Sequence, residues 1–358
     1  MNKMICSLLQ FILLITITNA FITPDAPAKL SSLTGEDLVN YINSAQSLFV
    51  AEDNDFHTKY SLMQPHYAER KADQNESIST EDLSLERLPV NFDSRSKWPN
   101  CKSIRRVRDQ DNCGSCWAFA VAEVISDRTC IETRGRDTPI LSPEDILSCC
   151  GSQCGHGCHG GYPVEALRWW VSRGVVTGGD YHEGGCRPYS IAPCTKAPCK
   201  EAQTPMCRTR CRKGYNKQYL QDKRHGATVY QLHRNPKAIM TDIYLHGPVE
   251  ASFQVFEDLY KYHSGIYHHV AGKHLGGHAV KIIGWGRDRG EDYWLIANSW
   301  GVHFGEQGFM RIRRGTNECG IEGNVLAGRP RSWGELDGGS GEGNDEEVDA
   351  GSAELQFL

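Results

Sequence analysis

No stretch of this 358-residue sequence stays apolar for long enough to cross a membrane. The longest apolar run covers residues 8–17 and falls short of the roughly 20 residues that a spanning helix needs, so a membrane anchor is disfavoured. Lys3 precedes this run and small residues follow it at positions 18–20, which is the pattern of a cleaved secretory signal. We therefore expect a signal peptide over residues 1–20, no membrane span, and a lysosomal or extracellular protein.

Cysteine is missing from residues 21–87, and glycine is scarce there. The segment LTGEDLVNYINSAQSLF (33–49) predicts an amphipathic helix, with Thr34 and Asp37 resembling a capping box at its start. The apolar positions at helical spacing are Leu38, Tyr41, Ile42, Ala45, Leu48 and Phe49. A polar stretch follows, and it contains the only N-glycosylation sequon of the chain, at Asn75, which we expect to carry a glycan.

Basic residues are absent from residue 334 onward, where the chain is rich in glycine and holds eight acidic residues. This composition predicts a disordered tail over residues 334–358. Residues 21–87 are acidic too, with twelve acidic against five basic residues, whereas residues 88–333 hold 33 basic against 24 acidic residues. The opposite charges suggest that residues 21–87 pair with residues 88–333, although sequence drift explains these charges equally well. Because no basic–aromatic stripe or known nucleic-acid motif is present, we expect no nucleic-acid partner.

Fourteen of the fifteen cysteines lie between residues 101 and 319, and secretion places them in an oxidising compartment where most should pair. The segment CCGSQCGHGCHGG (149–161) has some likeness to a zinc knuckle. Its spacings are irregular, however, and secreted chains this rich in cysteine usually form disulfides. We therefore expect no metal.

The segment RDQDNCGSCWAFA (108–120) places two cysteines three positions apart, and Cys116 could be a disulfide half, a metal ligand, a redox thiol or a nucleophile. The residues after it carry no Gly or Pro and predict a helix that begins at Cys116, where the helix dipole favours a thiolate. Gly114 just before it would let a substrate backbone approach closely.

A cysteine nucleophile also needs a base, a group that orients the base, and donors for an oxyanion. His278 precedes an apolar strand-like run in HLGGHAVKIIGWG and is the candidate base. Asn298 ends a second such run in YWLIANSWG, where its amide would fix the imidazole tautomer and Trp300 would cover that hydrogen bond. Gln110 offers a side-chain N–H for the oxyanion, beside the backbone N–H of Cys116.

The sequence Cys-Gly-Ser-Cys-Trp, with His and Asn well downstream, is the local signature of papain-type proteases. From residue 88 to about 331 the chain resembles cathepsin B, in LPVNFDSRSKWPNC, RDQDNCGSCWAF, CCGSQCGHGCHGGYP, GGCRPYSIAPC, GPVEASF, GGHAVKIIGWG, YWLIANSW and CGIEGNVLAG. The resemblance implies a papain-like α+β fold, with a helical left subdomain, an antiparallel β-barrel as right subdomain, and the active-site cleft between them. It also implies an inhibitory propeptide over 21–87 and a catalytic domain over 88–333.

The same resemblance implies a cysteine protease in which Cys116 and His278 form a thiolate–imidazolium pair and Gln110 and Asn298 assist. The twelve acidic residues of 21–87 predict a zymogen that acid activates, because protonation would weaken their attraction to the basic residues of 88–333. No cofactor is needed. The implied substrate-binding residues are Gly114, Gly160, Gly161, Tyr162, Pro163, Ser252, Ala279, Trp300 and Asn324. The implied partners are protein and peptide substrates, the chain's own propeptide and cystatin-type inhibitors, and the protein is expected to be a monomer.

The resemblance further implies six disulfides, which leave Cys116 reactive and Cys319 free. The pairs are Cys101–Cys130, Cys113–Cys158, Cys149–Cys207, Cys150–Cys154, Cys186–Cys211 and Cys194–Cys199.

Two departures from the cathepsin B pattern affect specificity. The position where a Glu usually receives a P2 arginine is Asn324 here, unless Glu322 takes that role. The occluding loop that usually grips a substrate carboxylate through two histidines is short, with four residues and no histidine between Cys194 and Cys199. We therefore predict an endopeptidase, with dipeptidyl carboxypeptidase as the alternative. A redox module and a non-catalytic homologue are disfavoured, because Trp follows rather than precedes the cysteine pair and all four catalytic residues are present.

Overall fold

The computed structural model describes residues 30–69, 87–196 and 198–331. The predicted signal over residues 1–20, the sequon at Asn75 and the acidic tail from residue 334 lie outside the described residues. The described chain forms an α+β fold with two large apolar cores, one around a sheet and one around a central helix. The leader, as we call residues 30–69, adds side chains to both cores, so it packs against both parts of the body.

The helices and strands alternate unevenly along the chain, with most strands in its second half. The α-helices are Gly35–Ala45 (α1), Phe56–Lys59 (α2), Ser94–Lys97 (α3), Cys116–Glu132 (α4), Pro143–Cys149 (α5), Pro163–Arg173 (α6), Pro236–His246 (α7) and Glu257–Tyr260 (α8). The strands are Phe49–Ala51 (β1), Phe92–Asp93 (β2), Gly226–Leu232 (β3), Val249–Phe256 (β4), Tyr262–Tyr267 (β5), His274–Asp288 (β6), Glu291–Ala297 (β7), Phe309–Arg313 (β8) and Val325–Pro330 (β9).

The sheet has the hydrogen-bonded strand order β1-β5-β8-β7-β6-β4-β9-β3, with β2 paired to β6. Neighbouring strands are antiparallel except for β5 and β8, which run parallel. The sheet is therefore mixed, with one parallel pair, whereas the resemblance implied an antiparallel barrel. The long strand β6 lies near its middle, between β4 and β7, and carries His278.

The leader helix α1 is shorter than the sequence predicted. It buries Leu38, Val39 and Ile42 and then stops, because the Gln46 side chain accepts hydrogen bonds from the backbone N–H groups of residues 48 and 49. Phe49 therefore starts strand β1, which pairs antiparallel with β5. The predicted capping box is wrong, since the Thr34 side chain makes no hydrogen bond to the helix.

Helix α4 is the centre of the helical core, and residues 116–130 of it are all buried. Its charged side chains are matched by buried partners on the sheet. Lys281 of β6 lies 2.9 Å from Asp127 and 3.2 Å from Glu123, one turn apart on α4. This cluster joins the helix that begins at Cys116 to the strand that carries His278, and an unpaired charge in such a place would cost several kcal/mol.

Six disulfides are present, and they are the six pairs that the resemblance implied. Cys116 and Cys319 remain as free thiols, the first buried and the second partly exposed. Among residues 30–69, 87–196 and 198–331, no cluster of three or more His, Cys, Asp or Glu side chains is placed to hold a metal ion.

Candidate active site

Cys116 is the first residue of α4, as its sequence context predicted. The loop before it is held by the Cys113–Cys158 disulfide and by a hydrogen bond from Gly114 N–H to the Cys158 carbonyl. A side chain at Gly114 would lie 2.4 Å from that carbonyl oxygen and 2.8 Å from the carbonyl oxygen of Leu62. Glycine is thus required where the leader backbone passes the nucleophile.

His278 lies in the middle of β6, and its Nε2 is 2.7 Å from Asn298 Oδ1. The same oxygen accepts the backbone N–H of Ser299 at 2.8 Å, so it is an acceptor and the imidazole must donate from Nε2. The other ring nitrogen, Nδ1, is buried and makes no hydrogen bond within the described part of the chain. Nδ1 is therefore the ring nitrogen that is available to accept a proton.

Trp300 covers the His278–Asn298 hydrogen bond, with its ring centroid 4.7 Å from that of the imidazole. Both side chains are fully buried. The leader extends this cover, because Tyr60 stacks on Trp300 at 5.6 Å and donates from its hydroxyl to the Trp300 carbonyl at 2.5 Å. The indole thus shields the His278–Asn298 hydrogen bond from solvent.

Gln110 is buried beside the nucleophile loop, but its amide is occupied. Its Nε2 donates to the Ser61 carbonyl of the leader at 3.0 Å and to the Cys113 carbonyl at 2.9 Å. Its Oε1 accepts from the Ser299 hydroxyl at 2.7 Å, which fixes the amide orientation. A leader carbonyl therefore occupies the donor that the sequence assigned to the oxyanion.

Residues 60–68 of the leader run along the cleft. Met63 forms an antiparallel bridge with Gly277, next to His278, through hydrogen bonds of 3.2 and 2.9 Å. A side chain at Gly160 would clash with Tyr67 at 2.5 Å and with Met63 at 2.8 Å. The leader thus lies close to strand β6, which carries His278, and to Gly160, one of the two glycines that were predicted to bind the substrate backbone. At Gly161 the same added carbon would instead meet Trp117 and the Cys154 carbonyl.

Burial changes the protonation of Cys116 and His278. Removal from water raises the pKa of Cys116 to about 12. The backbone N–H groups of Ala279, Trp117 and Met63 lower this pKa, but they offset only part of the increase. Burial lowers the pKa of His278 to about 4, opposed by its hydrogen bond to Asn298. Both groups are therefore neutral at physiological pH while the leader covers them. The thiolate–imidazolium pair predicted from the sequence does not describe this leader-covered form.

Three of the predicted specificity residues come together on β4, β6 and the start of β9. Ser252 pairs in register with Ala279, and its backbone N–H donates to the Asn324 carbonyl. Ser252 and Asn324 line a cavity of about 210 Å³, into which the leader places Ala68. The Asn324 amide donates to the Ala68 carbonyl at 3.1 Å.

The remaining two specificity residues lie across the cleft at the start of α6. Tyr162 is the residue before this helix and contacts leader Tyr67, with ring centroids 4.6 Å apart. Pro163 is the first residue of the helix and is buried. The leader therefore contacts both sides of the cleft, through Ala68 at Asn324 and through Tyr67 at Tyr162.

Glu322 cannot replace Asn324 in this pocket, because its carboxylate is fully used elsewhere. It is buried and accepts hydrogen bonds from the Trp294 indole and from the backbone N–H groups of residues 315 and 317. The residue that sequence reasoning missed is Glu250, on the same face of β4 as Ser252. Its Oε1 accepts from the Ser252 hydroxyl at 2.6 Å, its Oε2 has no hydrogen-bond partner in the described chain, and burial raises its pKa to about 8. The alternation of apolar and polar residues in VEASFQV, which places Glu250 on the same face as Ser252, was the available signal.

Comparison with known proteins agrees with this geometry. Residues 88–329 match the family model of papain family cysteine proteases. The chain is 54% identical over 321 residues to a gut-specific cysteine proteinase of Caenorhabditis elegans, covering 89% of this chain and 97% of that one. It is 53% identical over 302 residues to cathepsin B-like cysteine proteinase 3 of the same organism, covering 81% of each chain. The solved structure of proCathepsin B S9 from Trypanosoma congolense superimposes with a TM-score of 0.70 at 34% identity, covering 84% of this chain and 99% of that chain.

Proposed function

This chain belongs to the papain family of cysteine proteases, and on that premise we propose that it is an endopeptidase of the secretory pathway or lysosome, made as an acid-activated zymogen. The observation that carries the proposal is the convergence of Cys116, His278, Asn298 and Gln110 on one cleft that the leader fills. The likeness to a proform structure supports the zymogen reading. None of the described helices is long and apolar enough to cross a membrane.

Loss of the leader would return water to the cleft and restore the ionised pair. Because desolvation is the main cause of both pKa shifts, its relief favours the Cys116 thiolate and the His278 imidazolium together. The thiolate would attack the scissile carbonyl, while the Gln110 amide and the Cys116 backbone N–H stabilise the oxyanion. His278 would protonate the leaving amine from Nδ1 and then activate the water that hydrolyses the thioester.

Substrate would bind in place of the leader. Gly160 and Gly161 offer backbone groups for an added strand, with the P2 side chain in the pocket lined by Ser252 and Asn324. Processing is proposed near Arg87–Leu88, at the boundary between the propeptide over 21–87 and the catalytic domain over 88–333.

Acid should release the leader, because some of its contacts are ion pairs with the body. Asp53 lies 2.6 Å from Lys261, which lowers the pKa of Asp53, and Glu52 lies 3.3 Å from His263. A depressed carboxyl pKa stabilises the docked leader at neutral pH, and that contribution is lost as pH falls through the lowered pKa. Asp53→Asn should therefore shift self-processing toward neutral pH, whereas Asp55→Asn, which removes no ion pair, should leave it unchanged. Gel analysis across a pH series measures both, and equal processing at neutral and acid pH would contradict the mechanism.

Arginine at P2 should be a poor substrate residue. Asn324 cannot neutralise a guanidinium, Glu322 is bonded elsewhere, and Glu250 accepts from the Ser252 hydroxyl and does not line the cavity. A buried unpaired charge costs several kcal/mol, so kcat/KM for Phe-Arg substrates should exceed that for Arg-Arg substrates by about 10²-fold. Asn324→Glu should narrow this ratio at least tenfold, and Glu250→Gln should leave it unchanged. A higher kcat/KM for Arg-Arg in the unmodified enzyme would disprove the assignment.

Release of dipeptides from free C-termini should be weak. The disulfide loop 194–199 has no histidine, and it lies against the leader through a hydrogen bond from Cys199 N–H to the Thr58 carbonyl. His156 and His159 lie instead beside Gly160, where His156 bonds to Tyr67 and His159 to Glu201. A charge-assisted contact to a carboxylate contributes roughly 1.5–3 kcal/mol, so its absence should remove a preference of about 10–100-fold.

The measurement compares one internally quenched peptide with a free and with an amidated C-terminus. Similar kcat/KM values support the endopeptidase, while a strong preference for the free carboxylate with stepwise release of dipeptides supports the alternative. In that case Lys196→Ala should abolish the preference if Lys196 is the anchor, and His159→Ala tests the histidine that bonds to Glu201.

A further inference from the structure

A basic face lies between two cavities, neither of which is lined by a residue assigned to catalysis. The larger cavity, of about 700 Å³, is lined mainly by residues 186–190 and 205–213. The smaller, of about 380 Å³, is lined by residues 217–225 with parts of α4 and the end of β9. One loop, residues 205–217, thus connects the two. Six cationic residues that line these cavities make no ion pair within the described chain. They are Arg208, Arg210, Arg212, Lys213, Lys217 and Arg331.

The carboxylates near this face are already neutralised. Glu144 is buried and bonded to Arg187 and Ser190, and Asp137 forms an ion pair with Arg224. Glu183, close to Arg212, is paired with Arg106. Asp222, the remaining carboxylate of the 217–225 segment, is buried and accepts hydrogen bonds from Thr177 and Tyr215. The six cations therefore dominate the potential at the surface of this face.

The chain leaves the described structure at this face. Arg331 lines the smaller cavity and is fixed by a hydrogen bond from its backbone N–H to the His225 carbonyl at 3.0 Å. The 27 residues that follow, 332–358, contain eight acidic and no basic residues. Four of those acids are clustered at 345–349.

We propose that the acidic segment of residues 335–354 binds this basic face of its own chain. A Gly-rich linker spans about 5–6 Å times the square root of its residue number, so the cluster at 345–349 reaches about 20 Å from Arg331. Tethering gives the segment an effective concentration in the millimolar range, which makes even a weak site occupied. Leu220 and Met206 are 80% and 78% exposed on the same face and offer apolar contacts to the apolar residues of the segment.

The segment thereby neutralises the face and excludes other polyanions from it. This binding does not depend on the protease activity. It requires only that the face is accessible and that the tethered segment is the polyanion that occupies it.

The first test is zero-length carbodiimide crosslinking of the full chain carrying Cys116→Ala, which prevents self-processing. Amide bonds should join tail carboxylates to Lys213 or Lys217, and they should disappear at high salt, since the Debye length falls from about 10 Å at 0.1 M to 3 Å at 1 M. Lys102 and Lys237 are exposed lysines that line neither cavity and serve as internal controls. Equal crosslinking to all four lysines, or none to Lys213 and Lys217, overturns the proposal.

The second test uses a labelled synthetic peptide of residues 335–350 and a chain that ends at Ser332. The peptide should bind the shortened chain and bind the full chain at least tenfold more weakly, because the tethered segment occupies the face. Arg208→Ser with Arg210→Ser and Lys213→Ser should reduce binding at least tenfold, whereas Lys102→Ser with Arg134→Ser and Lys237→Ser should not. Equal binding to both chains overturns the proposal, as does a shortened chain that binds a sulfated polysaccharide but not the peptide.

Discussion

In the zymogen, Cys116 should react with iodoacetamide at least about 100-fold more slowly than in the processed enzyme. Burial raises the pKa of Cys116 to about 12, so the thiolate fraction near neutral pH is about 10⁻⁵. Paired cysteines of processed enzymes of this type have pKa values near 3–4 and are fully ionised, although their lower intrinsic nucleophilicity offsets much of that gain. The larger part of the difference comes from exclusion of the reagent, because Cys116 is 0% exposed beneath the leader.

The pH dependence separates protonation from access. In the zymogen the alkylation rate should rise about tenfold per pH unit through the neutral range, since it follows the thiolate fraction of a thiol with a raised pKa. In the processed enzyme the rate should be nearly flat over the same range. Peptide mapping by mass spectrometry measures both, and Cys116→Ala gives the background from Cys319. Equal rates at Cys116 in the two forms would show that the leader does not seal the nucleophile.

Replacing Gln110 should reduce kcat by about 10²–10³-fold with little change in KM, because an oxyanion donor acts mainly in the transition state. Gln110→Glu is the sharper variant, since its carboxyl oxygen still accepts the Ser299 hydroxyl that the amide oxygen holds at 2.7 Å. Gln110→Ala leaves that hydroxyl unpaired and adds a stability cost of about 1–3 kcal/mol, which thermal unfolding would detect.

The same substitutions should weaken the hold of the leader, because the Gln110 amide donates to the Ser61 carbonyl in the zymogen. Both variants should therefore release an inhibitory leader at less acid pH when a wild-type enzyme is added to process them. A decrease in kcat of less than fivefold, or a change in KM alone, would show that groups other than Gln110 stabilise the oxyanion.

Local sequence signals correctly predicted that a helix begins at Cys116. Cys116 begins a long helix because the following residues favour helix and include no Gly or Pro, and that depends on local propensity alone. The leader helix was predicted over residues 33–49 but ends at Ala45, since Gln46 bonds to the next backbone N–H groups and Phe49 is drawn into a strand with β5. Helical periodicity could not show that Leu48 and Phe49 lie outside the helix. Phe49 is placed by pairing with strand β5, which is more than 200 residues away in the sequence.

The sequence by itself determined which reactive groups this protein carries. They are Cys116 at the start of its helix, the candidate partners His278, Asn298 and Gln110, and the cysteines that form disulfides. Only the tertiary structure decided the protonation and the accessibility of these groups. Residues 60–68 have no sequence signal for lying in the cleft, yet Ser61, Met63 and Tyr67 occupy the donors and surfaces that a substrate would use. Whether Cys116 and His278 are an ion pair or two neutral groups depends on the water around them, because the free energy of a charge is set by its surroundings rather than by its neighbours in the chain.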